Sequence, residues 1–180
     1  MKTIPVPSLE QVGPEVKTIL ESVQKRMGKI PNLYATIGYS APALKGMMDF
    51  EADLAAAHHF SAKEKEAINL IVSQVNNCDY CLAAHTALAK MRGFSQEDTV
   101  AIRKATYSDV KLNTVIRFAQ SIAANRGKAD EQLAEAFFDA GYDEAALIEL
   151  IGLITVRTFT NYVFSNTNIP IDFPAAEPLS

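Results

Sequence analysis

The sequence predicts an all-α fold in one domain. Three observations lead there. Apolar residues recur at helical spacing in nearly every long segment, no stretch shows the strict alternation of a half-buried strand, and most segments open on a capping residue or a proline. The chain has 180 residues, 48% apolar and 21% charged, which suits a soluble globular core and is too apolar for a disordered chain. We therefore expect a single helical domain over residues 1–180, with an irregular start (1–13) and an irregular tail (168–180).

Pro5, Pro7 and Pro14 punctuate the N-terminus. Val16, Ile19, Leu20, Val23 and Met27 then share one helical face, and Gly28 supplies a stop, so the first helix spans about Pro14–Met27. Leu33 to Gly38 reads as one or two helical turns. Ser40-Ala41-Pro42 opens the next helix, which should run to about His58.

Ser61-Ala62-Lys63-Glu64 has capping-box form, with Ile68, Ile71, Val72 and Val75 on one face behind it. Asn76-Asn77 interrupts, and Cys78 falls at or just inside a new helix capped by Asn77 and continuing towards Gly93. Ser95 to Asp98 caps a shorter helix carrying Val100 and Ile102. Val110 to about Asn125 forms another, Leu133, Phe137 and Phe138 mark one ending near Gly141, and Asp143 caps a long helix from Glu144 to about Phe164.

That last helix is apolar nearly all round from Ala145 to Val156, so we expect it in the core and at a subunit interface. The prolines of the tail forbid regular structure there, although Ile171 and Phe173 can dock on a neighbouring surface.

Charge and composition exclude several functions. Lys and Arg total 17 against 21 Asp and Glu, a formal charge of −4, and no basic run offers phosphates a footprint, so no nucleic-acid partner is expected. Glu149 and Arg157 interrupt the apolar stretch, and the N-terminus lacks a signal-like core. We expect a cytoplasmic protein without a membrane partner. No Gly-rich phosphate loop, nucleophile-elbow serine or His-Glu-x-x-His motif occurs, and no cofactor is expected.

The two cysteines, Cys78 and Cys81, are too few for a secreted disulfide framework and must be read as local chemistry. Three apart at a helix start, they lie on one face within reach of a short disulfide ring. The positive end of the helix dipole lowers a thiol pKa from its free value of about 8.5. His85 follows four residues after Cys81 and seven after Cys78, so all three share one stripe, and an imidazole there can accept or return a thiol proton. Glu66, on the preceding helix, comes alongside His85 if the Asn76-Asn77 break folds the two helices antiparallel, and would orient the ring.

Other readings compete. A tetrahedral zinc site needs four ligands, and no second Cys-x-x-Cys or spaced His pair exists, so no metal is expected. Buried structural thiols are a further alternative. His58-His59 reads as a helix end satisfying last-turn carbonyls, whereas Met47, Met48, Phe137, Phe138, Tyr34 and Tyr39 read as core or interface.

The string Glu66, eleven residues, Cys78-Asp79-Tyr80-Cys81, three residues, His85 resembles the redox signature of the AhpD-like alkylhydroperoxidases of the carboxymuconolactone decarboxylase superfamily. Ser61 to Glu66, Lys29 to Tyr34 and the Pro-rich tail are similar to their surroundings in its peroxidase-related members. The resemblance implies an AhpD-like helical bundle that assembles as a trimer or hexamer. It also implies a peroxidatic Cys81, a Cys78 that donates a proton and then resolves, and a Glu66/His85 proton relay.

A small hydroperoxide is then the implied substrate, with a dithiol, thioredoxin-like or lipoyl reductant. Members that draw electrons from a lipoylated protein carry His where this chain has Tyr80. The superfamily's decarboxylases lack the cysteine pair. The expected function is thus a thiol-dependent peroxidase, with a non-enzymatic redox-sensing or assembly module and a decarboxylase-like lyase as the alternatives.

Overall fold

The structure is a computed structural model that describes residues 3–179; Met1, Lys2 and Ser180, at the ends of the expected irregular segments, lie outside the described residues. Its elements are α1 (Pro14–Met27), α2 (Asn32–Ile37), α3 (Ala41–Ala56), α4 (Ala62–Val75), α5 (Asp79–Met91), α6 (Gln96–Arg103), α7 (Val110–Ala124), α8 (Glu131–Asp139) and α9 (Glu144–Thr167), with no strand among the described residues. The all-α expectation holds.

Local chemistry sets most boundaries. The Ser61 side chain accepts the Glu64 N–H while Glu64 returns to the Ser61 N–H, closing the anticipated capping box of α4. Ser95 and Asp98 do the same for α6, and Asp109, Asp130 and Asp143 cap α7, α8 and α9. Gly28, at φ 78°, takes the left-handed conformation that ends α1.

Two boundaries differ from expectation. Helix α3 stops at Ala56, so His58 and His59 lie beyond it. His59 does not satisfy last-turn carbonyls. Its Nδ1 lies 2.8 Å from buried Glu149 on α9 and its Nε2 3.6 Å from Asp143, while Lys65 donates to the Ala57 carbonyl at 2.6 Å. A buried carboxylate needs such company, and no local pattern reveals that Glu149 faces His59 and Lys65. Helix α9 also runs three residues past the expected end, to Thr167, where Asn168 at φ 49° turns the chain.

Helix α4 is the hub, packing against α5, α6, α7 and α9. Ala67, Ile68, Leu70, Ile71 and Val72 are wholly buried in it. All nine helices contribute to one apolar cluster, in which Phe137 stacks on Tyr142 and packs against Phe118. Truncating Phe137 to Ala would cost roughly 3–5 kcal/mol. Helix α9 crosses α3 closely at Gly152, where a Cβ would sit 3.0 Å from Leu54 and 3.2 Å from Phe50.

By length and composition α9 could cross a membrane, yet it packs against α3, α4 and α7 and carries the buried polar groups Glu149, Arg157, Thr160 and Asn161. Its apolarity therefore serves the core on one side. On the other, Ile148, Ile151, Phe159 and Tyr162 form an exposed stripe at helical spacing.

Candidate functional site

Helices α4 and α5 bring the four sequence-predicted residues together. Asn77 adopts φ 50° and turns the chain between them. The helix cap is Cys78 itself rather than Asn77: its Sγ accepts the Cys81 N–H at 3.3 Å, a role open to any side-chain acceptor at that backbone position. Cys78 and Cys81 are free thiols, both buried.

His85 Nδ1 lies 2.7 Å from Glu66 Oε2, joining the end of the stripe to the neighbouring helix. Burial opposes ionisation of Glu66, but the charge and hydrogen bond of His85, with Arg157 and Asn69 nearby, outweigh it and hold the carboxyl below its usual range. An ionised carboxylate only accepts, so Nδ1 carries the proton. In the neutral ring Nε2 is then the basic nitrogen, and no described residue hydrogen-bonds to it.

The two thiols are driven apart. The Cys78 thiol, as hydrogen-bond donor, lowers the Cys81 pKa; burial works against this, while Arg157, His85 and Asn161 reinforce it. The same hydrogen bond, with burial and the Cys81 charge, pushes Cys78 up. Of the two, Cys81 is the more readily ionised thiol and Cys78 the one held protonated.

Arg157 is the main group that sequence reading passed over. It is 7% exposed on α9, with Nε donating to Asn69 Oδ1 at 3.1 Å, Nη1 to Thr160 at 3.1 Å and Nη2 to Glu51 at 3.1 Å. Burial alone would lower its pKa, but Glu51, Cys81, Tyr34 and Glu66 together raise it, so its charge is permanent. Asn161, one turn on, accepts from Asn76 at 2.9 Å and donates to Ser73 at 3.3 Å, which fixes its amide group toward the cysteines. Tyr34 packs against the core as expected and also has a polar role at the site. Its hydroxyl donates to Glu51 at 3.0 Å and it lines the site. The only prior signal was negative: a charged residue inside an otherwise apolar helix demands a partner.

Tyr80, between the cysteines, ties down the tail. Its hydroxyl accepts from the Leu33 N–H at 3.2 Å and donates to Asp172, and its ring meets Phe173 edge-on at 5.6 Å. Lys29 pairs with Asp172 at 3.2 Å and sits 3.7 Å over the Phe173 ring, while Asn32 donates to the Pro170 carbonyl at 3.1 Å. The tail segment 169–173 thus docks on its own chain. Phe173, Tyr34 and Leu88 enclose a pocket of about 40 Å³ that holds Cys81 and His85. Among the described residues no three His, Cys, Asp or Glu side chains converge as metal ligands.

Fold and site together define a helical bundle built around a buried, unequal dithiol with an adjoining imidazole–carboxylate pair. Residues 41–121, from α3 into α7, match the carboxymuconolactone decarboxylase family.

Solved structures agree on the fold. A peroxidase-related protein from Ralstonia eutropha JMP134 with an alkylhydroperoxidase AhpD core superposes with a TM-score of 0.84 at 17% identity, over 94% of this chain and 91% of its own. A peroxidase-related protein from Silicibacter sp. TM1040 gives 0.81 at 20% identity, over 93% and 90%. A cysteine-to-alanine variant of the debrominase Bmp8, in complex with 2,3,4-tribromopyrrole, gives 0.80 at 19% identity, over 96% and 93%. No curated protein matches the chain by sequence.

Proposed function

We propose that the protein is a thiol-dependent peroxidase that reduces small hydroperoxides through a Cys78/Cys81 dithiol–disulfide cycle. The carrying observation is the asymmetry of the pair: a depressed Cys81 thiol beside a protonated Cys78, with the His85–Glu66 pair at 2.7 Å. Cys81 passes its proton to His85 Nε2 and the thiolate attacks the distal peroxide oxygen; the O–O bond breaks, a sulfenic acid forms, and the departing alkoxide takes that proton from Nε2. Cys78 then displaces the hydroxyl as water and closes the disulfide, which an external dithiol, a thioredoxin-like protein or a lipoyl group reduces.

The test is peroxide consumption driven by a dithiol, with Cys78→Ser as the informative variant. Serine is a good helix cap, so the variant should fold. Wild type should lose two hydrogens by intact mass on oxidation, and Cys78→Ser should stop at a sulfenic acid trappable by dimedone. Turnover unchanged in Cys81→Ser would refute the reading.

The Bmp8 likeness favours a second reading, in which the same dithiol removes bromine from an aromatic ring, yielding arene, bromide and disulfide. Bromide release from a polybrominated pyrrole would support it. Slow stoichiometric oxidation without turnover would instead favour a redox-sensing or assembly module, and acid–base activity that survives loss of both cysteines a lyase. The exposed α9 stripe, Ile148, Ile151, Phe159 and Tyr162, supports self-association of this chain as a trimer or hexamer, and a thiol cycle suits the reducing cytoplasm.

A further inference from the structure

Two cavities meet at His85. The small one holds Cys81. The other is about 430 Å³, the size of a small-molecule site, and shares Tyr34, His85, Leu88 and Arg157 with the first. It reaches Glu66 and Asn69 but not Cys81, and Met48, Leu54, Leu153 and Val156 give it apolar walls.

Its charges are unbalanced. Four cations, Arg26, Lys65, Arg92 and Arg157, line it against two carboxylates, Glu51 and Glu66. Arg157 is paired with Glu51, Glu66 with His85, and Lys65 with backbone carbonyls and Glu149. Arg26 and Arg92 are exposed, and their guanidiniums make neither a hydrogen bond nor an ion pair to any described residue. Two uncommitted guanidiniums at the edge of an apolar cavity, on a chain of net charge −4, select an anion with an apolar body. Arg92, which caps the C-terminal end of α5, follows His85 by seven residues, roughly 10 Å along the helix axis, which a chain of about eight carbons spans.

We propose that this cavity binds the body of the substrate, an organic hydroperoxide bearing a carboxylate. Its acid group meets Arg26 and Arg92, and its peroxide reaches the wall shared with the Cys81 pocket. This rests on the peroxidase reading and names its substrate class. The chemistry is unchanged: the O–O bond breaks as the S–O bond forms, the hydroxy acid leaves with the proton from His85, and an external dithiol later reduces the disulfide.

Octanoate and 1-octanol are the probes, titrated calorimetrically into the reduced wild-type protein and Arg26→Gln/Arg92→Gln. Octanoate should bind the wild type about tenfold tighter than octanol, and the double variant should lose that preference. Equal affinity of the two for wild type, or a preference intact in the variant, overturns the proposal. In turnover assays octanoate should raise KM for cumene hydroperoxide and leave KM for the dithiol unchanged; the reverse pattern makes this the reductant's site and overturns the substrate assignment. Charge-selective binding without peroxide turnover would uphold the acid site and overturn the peroxidase reading beneath it.

Discussion

His85 Nδ1 and Glu66 Oε2 lie 2.7 Å apart across the contact between α5 and α4. That single bond fixes the tautomer, leaves Nε2 basic, and places the base on the helix that carries both thiols. The nucleophile, its base and the orienting group thus come from two consecutive helices and one turn.

If this bond matters because Glu66 is charged, Glu66→Gln should keep the fold and lose the relay. The amide can still meet His85 but no longer supports an imidazolium. We expect kcat/KM for hydroperoxide to fall by about 10²-fold, the lower range for a proton-transfer group. A change within twofold, with unaltered circular dichroism, would rule out a relay role.

Arg157 should tune Cys81 at a distance. Replacing it with Met removes a buried charge that favours the thiolate and leaves Glu51 with the Tyr34 hydroxyl but no cation. The Cys81 pKa should rise by about one pH unit, read from the pH dependence of iodoacetamide alkylation. The protein should also lose on the order of 3 kcal/mol in denaturant unfolding, because half a buried pair is left behind.

The pH profile of the wild type has a definite sign. Cys81 is depressed to about 6, so alkylation and peroxide reaction should be near their plateau at pH 7 and fall as pH drops through that value. A folded-state pKa below the unfolded one also contributes stability that is present above the ordinary thiol range of about 8.5 and lost as pH falls through the native value. An alkylation midpoint at or above 8.5 would show that the Cys78, Arg157 and His85 contributions do not outweigh burial.

Tyr80→Phe tests the tail's anchor. The variant keeps the edge-on contact with Phe173 but removes the hydroxyl that links Leu33 to Asp172. Amide exchange in residues 169–177 should accelerate by about five- to tenfold, the equivalent of a hydrogen bond worth roughly 1 kcal/mol. Unchanged protection would mean that Lys29, Asn32, Gln96 and Arg103 hold the tail without it.

Much of this was legible in one dimension. Caps at Ser61, Ser95 and Asp143 act within four residues of themselves, so their signals survive without tertiary knowledge. The cysteine–histidine register is likewise local, being set by helical periodicity alone, and the Asn76-Asn77 break foretold that Glu66 would return beside it. The cap of α5 was misplaced by one residue because a cysteine is an uncommon cap, and Asn77 beside it is a far better one in general.

The sequence by itself determined an all-helical chain with a thiol pair, an imidazole and a carboxylate in workable order. Only the tertiary structure decided how strongly that order is polarised. Arg157 and Asn161 reach the thiols from α9, Glu51 on α3 pairs with Arg157, and Tyr34 on α2 and Phe173 of the tail line the Cys81 pocket. Each is far from the cysteines along the chain, and each acts through charge and burial. Those depend on separation in space, which no periodicity records.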